Sequence, residues 1–152
     1  MQKYHKMSSL KKTLLKKGYH RIPLQFSKSQ HLVVKAKING VQGRFILDTG
    51  ASNSCVALEA VAFFSMETKD SKTKATGAGS SNMDTLLSKD NVIAINTWQV
   101  SQWELIVFDL SHVNDALPVF ETKKIQGILG ADLLSEGAAV IDYAKKWLYL
   151  KG

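Results

Sequence analysis

Several things are missing from this 152-residue chain, and each absence removes a class of function. Cys55 is the only cysteine, so neither an intrachain disulfide nor a multi-cysteine zinc site can form, which fits a reducing, cytoplasmic compartment. The four histidines lack His-x-x-His or Glu-x-x-His spacing, and no metal site is expected. No Gly-x-x-x-x-Gly-Lys or Gly-x-Gly-x-x-Gly phosphate loop is present. No apolar run reaches the length of a membrane span, so no transmembrane segment is expected. The basic N-terminus is followed by no apolar stretch, because Lys16-Lys17 interrupt Leu14-Leu15, and a secretory leader is not expected.

Acid is missing from one region only. Residues 1–37 hold ten Lys/Arg and no Asp or Glu, whereas the remainder holds ten against thirteen acids. The net charge of +7 is therefore a basic arm joined to a mildly acidic body. Such an arm is read first as a solvated terminal segment. Contact with nucleic acid or an anionic membrane surface through residues 1–37 is the alternative. The aromatic and RNP-type signals of single-strand RNA binders are absent.

What remains is ordinary in size and composition for one domain, with 45% apolar and 22% charged residues. Met7, Leu10 and Leu14 predict a short helix over 8–17 stopped by Gly18. Alternation then predicts strands over 19–26, with Pro23 marking an edge, and over 31–38. Asn39-Gly40 is a two-residue hairpin signal returning into 41–47. Residues 57–67 fit a helix or a loop. Strands are predicted at 92–95 and 103–108, with Trp98 and Trp103 as packing residues near the turn between them. A short helix at 131–137 precedes a closing hairpin, 138–143 and 147–150. Many short strands and little helix indicate an all-β, barrel-like domain.

The chemistry-bearing stretch is Asp48-Thr49-Gly50, delivered by the apolar strand Phe45-Ile46-Leu47. A carboxylate at the mouth of such a strand is costly to bury as an anion, and a chain that puts one there uses it as acid or base. Chance supplies Asp-Thr-Gly in about one chain of this length in fifty, so its surroundings carry the weight. Cys55 paired with His31 or His112 as a thiol nucleophile has no supporting spacing, and a lone apolar-flanked cysteine is usually a buried small hydrophobe.

Three segments together resemble the retroviral-type (retropepsin-like) aspartic proteases: Phe45 to Ser52 their active-site turn, Gly77-Ala78-Gly79 the glycine-rich tip of their flap, and Ile125 to Leu134 their second apolar-apolar-Gly element, Ile128-Leu129-Gly130. Val140 to Tyr143 with Trp147 to Leu150 is similar to the terminal hairpin of bacterial members. The resemblance covers about residues 30–150, which divides the chain into a basic arm, 1–28, and a protease domain, 29–152. It implies an acid-protease barrel with one short C-terminal helix, one lobe per chain, working as a homodimer on a peptide or protein substrate without metal or cofactor.

The resemblance also distributes roles. Asp48 is the catalytic carboxylate; Thr49, Gly50 and Ala51 support its turn; Ser52, Asn53, Gly77, Ala78, Gly79 and Ile128 are expected to meet substrate. Aspartic proteolysis needs two carboxylates, and this chain has one Asp-Thr-Gly, so the second Asp48 must come from a second copy across a two-fold axis. Ala51 carries no hydroxyl where pepsin-like enzymes have serine or threonine, so activity is expected at mildly rather than strongly acidic pH. Asp132 is expected as a helix N-cap, with a dimer contact as the alternative, and Asp142 as a strand-end or turn carboxylate. A scaffold retained for dimerisation or peptide binding with weak catalysis is the alternative function.

Overall fold

Ser9 opens the first helix. Its Oγ accepts the Lys12 N–H at 3.2 Å, and α1 runs Leu10–Lys16 until Gly18, whose φ of +87° suits a chain leaving a helix. This computed structural model describes residues 9–70, 75–77, 80–83, 85–110 and 124–152. The stretch expected as one strand over 19–26 is two, β1 (Tyr19–Pro23) and β2 (Gln25–Phe26). The break falls at Leu24, whose N–H leaves the ladder to donate to the Lys146 carbonyl at 2.9 Å.

β3 (Leu32–Ile38) and β4 (Val41–Leu47) form the hairpin that Asn39-Gly40 predicts, with φ of 51° and 86° in the turn. After β4 come β5 (Cys55–Ala57), a 3-10 turn (Leu58–Ala60) and β6 (Lys69–Asp70), so the undecided 57–67 region is mostly turn. β7 (Ala75–Gly77) and β8 (Ser80–Met83) make a small hairpin.

β9 (Leu86–Ile95) and β10 (Trp98–Phe108) are much longer than the predicted 92–95 and 103–108. Polar residues and two register shifts in this pair disguise its period. The buried Asn91 side chain spans the irregularity, donating to the Ser88 and Trp103 carbonyls, both at 3.2 Å. Trp98 packs as expected and is buried; its indole N–H donates to the Lys151 carbonyl at 3.1 Å. Trp103 lies in mid-strand, half-buried.

The chain ends with β11 (Gly127–Leu129), α2 (Ala131–Glu136), β12 (Val140–Asp142) and β13 (Trp147–Lys151). Strand order β3-β4-β11-β5-β10-β9 closes through a β3–β9 pairing, making a six-stranded barrel with β2 and β6 appended. A second sheet, β1-β13-β12, stands beside it. One apolar cluster runs through both, from Ile22 and Leu148 to Phe45, Ile93 and Val107. Among the described residues no helix is long and apolar enough to cross a membrane.

Candidate active site

β4 carries the buried residues Phe45, Ile46 and Leu47 into the barrel wall and releases the chain at Asp48. The turn that follows is held rather than free. The Asp48 N–H donates to the Leu129 carbonyl at 3.0 Å, and the Ala51 N–H closes the turn on the Asp48 carbonyl at 3.2 Å. The Gly50 N–H donates to Asp48 Oδ1 at 2.8 Å, which fixes one carboxylate oxygen over its own turn. Asp48, Thr49 and Gly50 are exposed in the single chain, as are Ser52 and Asn53, while Ala51 is half-buried. The carboxylate is thus presented to solvent by an apolar strand, not buried in it.

The turn hangs from β11, which lies parallel to β4 with Gly127, Ile128 and Leu129 opposite Phe45, Ile46 and Leu47. β11 also lies antiparallel to β5, so it is threaded between the strands on either side of the turn. That threading dictates two glycines. A Cβ on Gly127 would collide with the Cys55 carbonyl and come within 2.9 Å of the Phe45 ring. One on Gly130 would sit 2.5 Å from the Ala51 carbonyl. Ile128 and Leu129 are both buried in the strand between them.

A second brace was not visible in the sequence. The fully buried Ser54 donates from its hydroxyl to Asp132 Oδ1 at 2.8 Å and from its N–H to the same oxygen at 2.9 Å. The Ser54 hydroxyl also accepts the Gly130 N–H at 2.9 Å, and the Ala131 N–H donates to the Ala51 carbonyl at 2.7 Å. Asp132 is therefore not the N-cap of α2; that position is Gly130, which has no side-chain cap bond. The carboxylate points instead to the chain leaving the Asp48 turn. Only an acid two residues past Gly130 and a serine placed just before the apolar run Cys55-Val56-Ala57 hinted at it.

Gly77 ends β7 opposite Ser80; Ala78 and Gly79 lie outside the described residues. Asp142 ends β12 and accepts the Lys145 N–H at 3.0 Å, a turn carboxylate as expected. Cys55 is buried beside β11, and its thiol is pushed up to about 12. Burial is the main cause, opposed by a backbone hydrogen bond at Ile128 and reinforced by the Asp132 and Asp48 charges. Such a thiol is no nucleophile at neutral pH. His31 bonds Ser29 Oγ at 2.7 Å, and His112 lies outside the described residues. Among the described residues no group of three His, Cys, Asp or Glu is placed to hold a metal ion.

A six-stranded barrel in which a loop-spanning strand supports an Asp-Thr-Gly turn defines the class: a one-lobed, retropepsin-like acid-protease fold. A family model described as aspartyl protease matches residues 34–133, and the chain belongs to that family. Solved structures agree in fold. A retropepsin-like aspartic protease from Rickettsia conorii is similar with a TM-score of 0.56 and 19% identity, over 87% of this chain and 90% of that one. The EIAV protease, in complex with the inhibitor HBY-793, is similar with a TM-score of 0.55 and 18% identity, over 77% and 97%. The retroviral protease-like domain of Ddi1 from Leishmania major gives 0.55 and 16%, over 79% and 87%. A search of curated proteins found no match.

Proposed function

We propose that this chain is an aspartic endopeptidase that works as a homodimer, with one Asp48 from each copy. One observation carries the reading: a single Asp-Thr-Gly turn, hydrogen-bonded to β11 and solvent-exposed in the isolated chain. An exposed carboxylate on a rigid turn is half of a two-carboxylate site, and a two-fold axis supplies its equal. Water between the two carboxylates loses a proton to one of them as its oxygen attacks the peptide carbonyl carbon. The other carboxyl gives its proton to the carbonyl oxygen, completing a diol. The diol collapses when the first carboxyl passes the proton taken from water to the leaving amine nitrogen, a diol hydroxyl returns its proton to the second carboxylate, and the C–N bond breaks.

In this reading Thr49 braces the two turns across the axis, and Gly50 and Ala51 keep the turn narrow enough for close approach. Ser52, Asn53 and Ile128 line the substrate path. The Gly77-Ala78-Gly79 hairpin covers an extended peptide held by main-chain hydrogen bonds. The group needed for every proton transfer is Asp48 itself, so no metal or cofactor is invoked.

Peptide cleavage by wild type and Asp48→Asn, with sedimentation of both, tests this directly. A dimer whose cleavage falls by roughly 10²–10⁴-fold or more on substitution is the expected result. Cleavage that survives the change would end the mechanism. A wild-type dimer that binds peptide without cutting any would favour a binding module on the same scaffold. A pH–rate profile with its maximum in strongly acidic solution would contradict the inference drawn from Ala51.

A further inference from the structure

The outer wall of the barrel holds a second concavity, away from the Asp48 turn. It is a cleft of about 620 Å³ between the β1–β2 segment and strands β3, β4, β9 and β10, within the size range of ligand sites. Its origin is topological. β3 pairs with β2 at Val33 and with β9 at Lys37, leaving Lys35 and Ala36 between the two pairings as the floor. One end is fixed by Asn96, whose side-chain amide donates to the Arg21 carbonyl at 2.9 Å.

The lining has a one-sided chemistry. Lys35 and Lys37 supply cations, and Gln25, Gln42, Asn96 and Gln99 supply amides. No lining residue is acidic and none is aromatic. Both lysines are exposed, and neither carries an ion pair among the described residues. Two residues apart on one strand, they point to the same side about 7 Å from each other. Alternate side chains of an extended peptide have that same spacing. The lack of an aromatic platform disfavours unstacked bases, which single-stranded RNA would present.

We propose, resting on the peptidase reading above, that this cleft is an exosite for an extended acidic segment of the polypeptide substrate. Carboxylates at alternate positions (Asp/Glu-x-Asp/Glu) meet Lys35 and Lys37, and the amides of Gln25, Gln42, Asn96 and Gln99 receive the peptide groups. Gln42, in the cleft, and Asp48 lie at opposite ends of β4, roughly 20 Å apart. Lys35 lies opposite Arg44, four residues before Asp48 on β4, so the acidic segment begins at least about four extended residues from the bond that is cut.

Fluorescence anisotropy of a labelled (Glu-Gly)4 peptide on full-length Asp48→Asn protein tests the site without any turnover. Saturable, salt-sensitive binding is expected, weakened about tenfold or more by Lys35→Ala/Lys37→Ala and restored by Lys35→Arg/Lys37→Arg. Lys11→Ala/Lys12→Ala, on the basic helix, should leave it unchanged. Absence of saturable binding, or an equal loss in the helix variant, overturns the proposal. So does tighter binding of an oligouridylate through the same two lysines, which would make the cleft a nucleic-acid site. Because the assay uses an inactive protein, it separates failure of the exosite from failure of the peptidase mechanism, which cleavage by wild type decides.

Discussion

At the scale of single residues, the Ser54–Asp132 pair is the most exposed to test. One carboxylate oxygen takes both the N–H and the hydroxyl of a fully buried serine. Asp132→Ala strands two buried donors and should cost about 1–3 kcal/mol in urea denaturation. Asp132→Asn retains an acceptor and should cost less. Cys55 gives a pH signature. Its folded-state thiol keeps its proton up to about 12, against an ordinary 9.0, so above about pH 9 the unfolded chain holds fewer protons than the native one. Stability then falls as pH rises, and the contribution is absent below that range. Wild type should lose stability relative to Cys55→Ala between about pH 9 and pH 11, and native Cys55 should resist thiol reagents at neutral pH until denaturant is added.

At the scale of elements, β11 decides whether the turn exists. Gly127→Ala drives a methyl into the Cys55 carbonyl and the Phe45 ring, both part of the rigid wall, with no side-chain end free to move aside. A loss of about 3 kcal/mol or more in thermal or urea unfolding is expected, and a variant as stable as wild type would contradict the threading. Elements with local causes were legible beforehand: Asn39-Gly40 carries its own turn chemistry, and β4 could be read to its last residue, Leu47. Elements with distant causes were not. Leu24 breaks a strand because it bonds Lys146, and Asp132 looks like a cap until Ser54, 78 residues away, is seen beside it. Asn91 likewise hides the length of β9 and β10, since a buried amide looks like a turn residue in a one-dimensional pattern.

At the scale of the whole molecule, the barrel and the β1-β13-β12 sheet share one core, and β1 joins them from the N-terminal side. Tyr19 Oη donates to the Ala138 carbonyl at 2.8 Å, His20 bridges Thr97 and the Gly152 carbonyl, and Ile22 is almost completely buried. A chain begun at residue 29 loses the burial of Leu14, Ile22 and Leu24, worth about 5 kcal/mol together. That is comparable with the whole stability of an ordinary domain. Removal of residues 1–28 should therefore leave a chain with no cooperative unfolding transition, whereas removal of residues 1–8 should leave the transition in place. Circular dichroism during heating separates the two outcomes.

The hydrogen bond from Asp48 to Leu129 also orders events in time. It closes a loop of some eighty residues, and contacts that distant in sequence form late and slowly. While the chain emerges from the ribosome, the Asp48 turn has neither its β11 neighbour nor the Ala131 and Gly130 groups that pin it. Nascent protein is thus born without an ordered carboxylate turn, and acquires one only when β11 and the start of α2 have been made. The topology itself withholds an ordered Asp48 turn from every unfinished chain.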